Sequence, residues 1–493
     1  MSDFLSTALS FLAVAVGVPL LGVCLAFLID VARRKDVHAR LGLDRVHPAL
    51  VLIGITLYGA IALLLIAGLI ILIAGAIALP FKDGQSLEET QREYLFYVLR
   101  IAGLTTVVGA MIALPFTVIR LRLSQEQTET ARESLFNDKI NEATKGLYAR
   151  RQISKWHRQK GYIDHWEDDI VQRNAAIDRL EGLAQEKPTE VPRIARLLSV
   201  YVRELSAEVH AKTPPPDATP ETLRDWARTL PKLRSDMEKA AQTLGRLADI
   251  APDPLVNGEI DLRGANLQAA DLRHAKFEQA SLRGAQLQGA DLDGAQLQRA
   301  DLFSAQLQRA DLFSAQLQVA DLRRAQLQAA DLDEAQLQRA NLIGAQLKGA
   351  NAYRAQLQGA ILIDAQLQGA DLYRAQLQGA DLYRAQLQGT DLFTAQLQGA
   401  DLGEAAFDKN TSLTAANLRG AAVRDVDFTA TPQIADHLAD IFGDASTALP
   451  NGVIPDHPDW PAHWPRTRLD LSEFRDAWRI WQSTLPKGWD DAD

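Results

Sequence analysis

The chain has a single cysteine, Cys24, and it lies inside an apolar stretch. A disulfide framework and a cysteine-based metal site are therefore excluded. There is no basic excess: the formal net charge is −10 over 493 residues. A general nucleic-acid binder would show a basic stripe to neutralise phosphates, so nucleic acid is not an expected partner. No phosphate loop, nucleophile-base pairing or metal-ligand spacing occurs. His437, His457 and His463 match no common zinc site. No cofactor, metal or catalytic residue is assigned, and an enzyme is not expected.

What is present falls into four compositional blocks. Three apolar stretches, Phe4–Val31, Ala49–Pro80 and Tyr94–Ile119, occupy the first. Each exceeds the roughly 20 residues needed to cross a bilayer, and the first is too long for a signal peptide. The block 1–122 is read as a three-helix transmembrane anchor. Arg33, Arg34, Lys35, Arg40 and Arg45 follow the first stretch, and Arg120 and Arg122 follow the third. Basic loops stay inside, which places the N-terminus outside and the bulk of the chain in the cytoplasm. Gly59-Ala60, Ala67-Gly68 and Ala74-Gly75 line one face of the second stretch, where another helix or another copy of the chain can approach closely. Arg100, near one end of the third, can snorkel to the interface.

From 123 to 250 the residues favour helix. The segment Ser124–Ala149 reads as a continuation of the third span. Helices over about 166–186 and 190–209 carry Ile177, Leu180 and Leu183, and Ile194, Leu197, Leu198 and Val202, at helical spacing. They are expected to pack as an antiparallel pair, with Lys212–Pro220 as a linker. Arg150, Arg151, Lys155, Arg158 and Lys160 form a basic run that anionic lipid headgroups would attract.

The block 259–428 is periodic, as in AQLQGADLYRAQLQGADLYR. Leu recurs every fifth residue from Leu262 to Leu402, with Phe277, Ala352 and Phe407 as substitutes, and Ala precedes it by two. Five fits neither the helical nor the strand period. It fits a right-handed coil of square section, one pentad per side and twenty residues per turn, with Leu and Ala inward. Coils stacked at ~4.8 Å would make a rod of roughly 40 Å. One residue is inserted near Lys409, and further pentads centre on Leu413, Leu418, Val423 and Phe428.

The pattern resembles the pentapeptide-repeat family, whose motif is A-(D/N)-L-x-x, although every second pentad carries Gln for Asp or Asn. The resemblance implies a quadrilateral β-helix and is weak for function. Known members include topoisomerase-protecting proteins whose acidic rods imitate DNA. The flanking segments DKINEATKGL and FGDASTALPNG…PAHWP…FRDAWRIWQ are similar to a bacterial membrane-bound subgroup. A DNA mimic needs a strongly negative rod, and between 259 and 428 there are 21 Asp plus Glu against 16 Lys plus Arg.

The Gln pentads add a period of ten. Gln286, Gln306, Gln326, Gln346, Gln366 and Gln386 should form a ladder of amides bonded to one another. The Asp ladder (Asp271, Asp291, Asp311, Asp331, Asn351, Asp371, Asp391) repels by about 1 kcal/mol per pair in water, and bonds to turn amides should compensate. Residues after the central Leu point outward. On one Asp-bearing side these are Phe313, Asp333, Tyr353, Tyr373 and Phe393; on the opposite side Phe303, Arg323, Ile343, Ile363 and Tyr383. With Arg354, Arg374 and Arg384 they form ridges of interface composition. An unknown protein partner is expected on at least one ridge unless the helical middle or the tail folds over it.

The tail, 431–493, should cap the exposed end of the rod. Helices are expected over 432–443 and 471–484, with Trp460, Trp464, Trp478 and Trp481 over the final coils. The combined reading is a multi-pass scaffold of a bacterial inner membrane that presents a cytoplasmic rod. An oligomeric pore gated through the rod is the alternative, and a topoisomerase binder a lesser one.

Overall fold

The computed structural model describes residues 48–78, 87–157, 161–216, 218–251, 255 and 259–486. The first apolar stretch and the basic loop after it lie outside these residues. The chain divides into two compact units, Met1–Asp138 and Lys139–Asp493.

In the first unit, helix α1 (Pro48–Ala78) and the start of helix α2 (Leu87–Leu147) are long and apolar enough to cross a membrane. Ile53, Leu64, Ile71, Leu95, Leu99 and Phe116 are exposed along them. A side chain placed at Gly68 would meet Leu104, 3.5 Å away, and the Tyr58 hydroxyl donates to the Met111 carbonyl. The small pair Ala67-Gly68 thus lies against α2 of the same chain.

The second unit opens with the end of α2 and departs at once from the all-helical expectation. Arg150–His157 (β1) and Gly161–Asp168 (β2) form an antiparallel hairpin in which Arg150 faces Asp168 and Ile153 faces His165. Alternating residues such as Gln152, Ser154 and Trp156 share one face, the period of a strand, and Gln152 and Ser154 both donate to Asp164 across the ribbon. Helices α3 (Ile170–Glu186) and α4 (Val191–Glu208) follow, with α5 (Pro220–Ala227) and α6 (Ser235–Ile250) after them. The expected pairing of α3 with α4 is replaced by a three-helix arrangement in which both pack chiefly on α6. Ile177, Leu180, Ile194, Leu198, Val202, Met237 and Leu244 are its fully buried core. Asp236 is buried inside it but accepts from Tyr201 Oη (2.7 Å) and from Arg234 (2.7 and 2.9 Å), so the charge is paired and bonded.

From Asp261 onward residue i bridges residue i+20 in parallel, at every fifth position, as far as Gln386↔Ala406. Four bridge columns result, termed I (Asp261, Ser281, Asp301 and on), II (Asn266, Gln286, Gln306 and on), III (Asp271, Asp291, Asp311 and on) and IV (Lys276, Gln296, Gln316 and on). Each pentad closes a turn, as when Ala285 N–H donates to the Leu282 carbonyl, and sends bonds to the coils on either side. The fourth residue of each pentad has φ near +60° whether or not it is glycine, for example Arg374 at 59°. Leu and Ala are almost wholly buried throughout. The inserted residue shifts the bridges to i+21 at Asp391↔Ser412, as the sequence indicated.

The stack continues past Phe428: Ala422 bridges Phe442 and Asp427 bridges Ala448. The segment expected to be a helix over 432–443 is a short 3-10 turn, Pro432–His437, followed by this partial coil. Helix α7 (Leu471–Gln482) closes the tail with a capping box of Asp470 and Glu473. Trp464 Nε1 donates to the Ile441 carbonyl (2.9 Å), and Trp478 Nε1 to that of Gly420 (2.8 Å). Trp460 and Trp464 are buried, and Trp481 stacks on His463.

The opposite end of the stack is capped by a device that the sequence did not reveal. Inside the rod, the first residue of a pentad donates its N–H to the preceding coil, as Gln286 does to Ala265. The first coil has no predecessor, and the helical domain substitutes on all four columns. Asp261 N–H meets Ser199 Oγ (3.2 Å), Asn266 N–H meets Ser206 Oγ (2.9 Å), Asp271 N–H meets Glu238 Oε1 (2.9 Å) and Lys276 N–H meets the Gly245 carbonyl (3.3 Å). At Gly245 a side chain would lie 2.8 Å from Ala275 Cβ, so only glycine allows this approach.

Two predictions follow from this packing. Ser206→Ala with Glu238→Ala orphans two first-coil donors, at about 1 kcal/mol each. Hydrogen exchange should quicken at 266 and 271 but not at 326 and 331, and unchanged exchange at 266 and 271 would refute the capping role. Second, Ala352 sits where other pentads carry Leu and leaves a small apolar void lined by Leu332, Leu357 and Leu372. Ala352→Leu should raise the denaturant midpoint of the rod by an amount corresponding to about 2 kcal/mol, the reverse of a typical cavity cost. A lower midpoint would mean that the site is already filled.

Candidate functional site, the outer face of the rod

The carboxylates of columns I and III are turned toward their own backbone. Asp311 Oδ1 accepts from Phe313 N–H (3.0 Å), Asp371 from Tyr373 (2.9 Å) and Asp391 from Phe393 (2.9 Å). The expected compensation of the Asp ladder by turn amides is thus present. Arginines instead occupy the third and fourth pentad positions, where Arg299, Arg324, Arg339, Arg354, Arg374 and Arg384 are exposed. Acids such as Asp333, Glu334, Asp364 and Glu404 share these positions, so the rim carries both signs with arginine prominent.

On column III the outward rings stack on one another. Tyr353 and Tyr373 have centroids 5.4 Å apart at 13°, and Tyr373 and Phe393 5.4 Å apart at 14°. Arg354 lies over Tyr353 (4.8 Å) and Arg374 over Tyr373 (5.3 Å). The three rings are half-buried in this stack. Phe313, two coils before Tyr353, is 40% exposed.

Column I differs. Tyr383 donates to Glu404, which also accepts from Arg384 (2.7 Å). Glu404 is held below the usual carboxylate range by Tyr383 and then Arg384. Ile343, Ile363 and Tyr383 are part-buried in this column. Phe303 lies between Arg283 (4.6 Å) and Arg323 (5.5 Å).

The helical domain does cover one side of the rod, but it is column II. Lys212 N–H donates to Gln268 Oε1 (2.8 Å) and the Lys212 carbonyl accepts from Gln268 Nε2 (2.7 Å). Helix α5 then lies along the turn residues of this column. A side chain at Gly349 would come within 2.5 Å of Pro220, and one at Gly289 within 3.3 Å of Leu230. Neither ridge lies under this cover.

The amide ladder takes another form than expected. Gln286, Gln306 and their equivalents do not bond one another along the column. In most A-Q-L-Q pentads the second Gln donates to the first Gln of the next coil: Gln288 to Gln306 (2.7 Å), Gln298 to Gln316 (2.6 Å), Gln338 to Gln356 (2.6 Å). The backbone of column II and IV residues is occupied in bridging, and the longer diagonal between coils suits two glutamines. This role of Gln288 and its equivalents was not read from the sequence.

The basic run is on a strand, not a helix. Arg150, Arg151 and Lys155 lie on β1, and Arg158 and Lys160 fall outside the described residues. Lys155 pairs with Glu167, and Arg150 donates to the Trp166 carbonyl (3.1 Å). Trp156 and Trp166 are exposed beside them and were not singled out from the sequence. In the tail, His437 bonds the Leu413 carbonyl, His463 that of Ile441, and His457 lies beside Asp459. Among the described residues no group of side chains could hold a metal ion.

The geometry defines a class: a β-solenoid of five-residue turns, built to display side chains at fixed intervals along a stack. The family model for pentapeptide repeats matches 260–299, 280–318, 320–359 and 353–389, with eight copies, and the chain belongs to the pentapeptide-repeat family. It is similar to HetL of the cyanobacterium Nostoc sp. strain PCC 7120, a pentapeptide repeat protein involved in heterocyst differentiation regulation. The identity is 30%, over 39% of this chain and 86% of HetL, with a TM-score of 0.16. A pentapeptide repeat protein of the Arabidopsis thaliana thylakoid lumen is 28% identical over 27% of this chain and 79% of its own, with a TM-score of 0.14. QnrB1, a plasmid-mediated fluoroquinolone resistance protein, is 15% identical over 41% and 91%, with a TM-score of 0.21. Comparison with curated proteins gave no match.

The recessed acids make a pH prediction. Burial, and then Asp331 and Glu334, push the Asp333 carboxyl up; burial and the neighbouring Asp311 and Asp271 do the same for Asp291. A group with a raised folded value contributes stability below its unfolded value, near 3.9, and loses it as pH rises through the folded value. At the junction, Arg263 and then Arg203 hold Asp261 low, and Arg234 and Tyr201 hold Asp236 low against its burial. These contribute at neutral pH and lose it on acidification through their folded values. Hydrogen exchange at about pH 3 should therefore quicken in the helical domain and first coil before the column III turns at Asp291 and Asp333. The reverse order would contradict the assignment.

Proposed function

We propose that this protein is a membrane-anchored, non-enzymatic scaffold that holds a right-handed, four-sided rod at the cytoplasmic face of a bacterial inner membrane and binds a protein partner there. The observation that carries the reading is the column III ridge, in which Tyr353, Tyr373 and Phe393 stack outside the helical cover with Arg354 and Arg374 over the rings. Aromatic and arginine side chains on a rigid support lose little entropy on association and dominate interface energetics. The exposed apolar surface of α1 and α2 supports anchoring. The basic residues after the first and third apolar stretches support an outside N-terminus. Arg150, Arg151 and Lys155, with Arg158 and Lys160 next in sequence, contact anionic headgroups in this reading, and Trp156 and Trp166 suit the interfacial region.

The pore alternative drew on the small-residue face of α1, and Gly68 already lies against Leu104. The DNA-mimic alternative needs an acidic rim, and the rim carries arginine.

The test is cross-linking in cells, capture from solubilised membranes and mass spectrometry, with Tyr353→Glu plus Tyr373→Glu as the control. Tyr383 is left in place because it bonds Glu404. A protein enriched at least tenfold with the native chain and lost with the double variant is the expected outcome. The same proteins captured by both would remove the ridge as the binding surface.

A further inference from the structure

A second surface of the rod has a pattern of its own. Arg283, Phe303, Arg323 and Ile343 follow one another on successive coils of column I, at the third pentad position. Arg299, Val319 and Arg339 follow one another at the fourth position of column IV pentads. The two series run along neighbouring turns of each coil, as 297–300 and 302–305, on either side of the column I face that carries Asp301, Asp321 and Asn341. Across that face, Arg299 precedes Phe303, Val319 precedes Arg323, and Arg339 precedes Ile343. Cation and apolar group alternate along each series.

The pattern is open to solvent. Arg299, Arg323 and Arg339 are exposed, and Val319 is 51% exposed. Arg283 and Arg323 each reach a carboxylate, Asp301 (3.4 Å) and Asp321 (2.5 Å), while gripping Phe303 between them. Arg299 and Arg339 hold no ion pair among the described residues. Helix α5 lies on column II, and the tail meets the last coils at Leu413, Gly420 and Ala422, so neither covers these turns.

We infer that the column IV turn carrying Arg299, Val319 and Arg339 binds an acidic amphipathic α-helix of a partner protein, laid along the rod. Arginines of one series recur every second coil, about 9.6 Å apart, with an apolar group at ~4.8 Å between them. A helix rises 1.5 Å per residue, so side chains at i and i+7 are about 10.5 Å apart and those at i+3 or i+4 fall about 5 Å along the axis. Carboxylates at i and i+7 meet Arg299 and Arg339, while an apolar side chain at i+3 or i+4 meets Val319. Flexible guanidinium groups absorb the residual ångström. A nucleic-acid backbone would use the arginines but leave Val319, Phe303 and Ile343 against a charged chain. The inference rests on the reading of the rod as a binding module and supplies a partner chemistry for a face distinct from the column III ridge.

The test uses the full chain in detergent and a labelled designed peptide of 16 residues. The peptide carries Glu at i, i+7 and i+14 and Leu at i+4 and i+11 on an Ala/Gln background, and is read by fluorescence anisotropy. A permuted peptide of the same composition and a single-stranded DNA of equal charge serve as rivals. The expected result is binding at least tenfold tighter than either rival. Arg299→Glu with Arg339→Glu should abolish that preference while retaining the melting temperature, and Tyr353→Glu with Tyr373→Glu should leave it unchanged. Equal binding of the permuted peptide, preference for the DNA, or no binding of the designed peptide would each overturn the inference. Loss with the tyrosine variant would instead assign the peptide to the column III ridge, also overturning it.

Discussion

Everything in the second unit depends on hydrogen bonding between coils at a period of twenty residues. Each pentad turn leaves backbone donors and acceptors facing along the rod axis, and only another coil in the same register can satisfy them. Leu and Ala fill the interior, but a hydrophobic interior alone would tolerate slippage by one pentad. The alternation of Asp and Gln pentads opposes such a slip, since it would place glutamine against aspartate in every column. Register and core are thus specified by different residues of the same short motif.

A ladder of this kind has two open ends, and the protein closes them by different means. At the start, Ser199, Ser206, Glu238 and the Gly245 carbonyl reproduce the acceptors of a missing coil. At the finish, a partial coil through Phe442 and Ala448 is followed by indole donors to carbonyls that no further coil would meet. The helical domain is therefore part of the solenoid's bonding, not a separate attachment, and α5 extends its contact along column II. Because that cover takes the glutamine side, the aromatic and arginine side chains of columns I and III remain on the surface.

Charge is arranged radially along the same logic. An aspartate at the first pentad position has a turn amide within reach, whereas an arginine at the third or fourth position projects or reaches a nearby acid, as Arg323 does Asp321. A rod that is negative by formula thus presents arginine and aromatic groups on a rim of mixed charge. Burial first, and then neighbouring carboxylates, raise Asp291 and Asp333.

The five-residue period, the inward Leu and Ala, the insertion near Lys409 and the outward Tyr, Phe and Arg positions were all legible in the sequence. Each is a local rule repeated many times, so side-chain direction follows from counting. The helices around Ile177 and Val202 were legible for the same reason. The hairpin at Arg150–Asp168 was not, because charged and aromatic residues there suit helix and strand alike and only cross-strand partners such as Gln152 and Asp164 decide. Nor could periodicity show that Gln288 bonds Gln306, that α6 stands between α3 and α4, that serines of α4 cap the first coil, or which side α5 covers. Repetition within the chain determined the rod and its rim; contacts between segments far apart in sequence decided its ends, its cover and therefore its free faces.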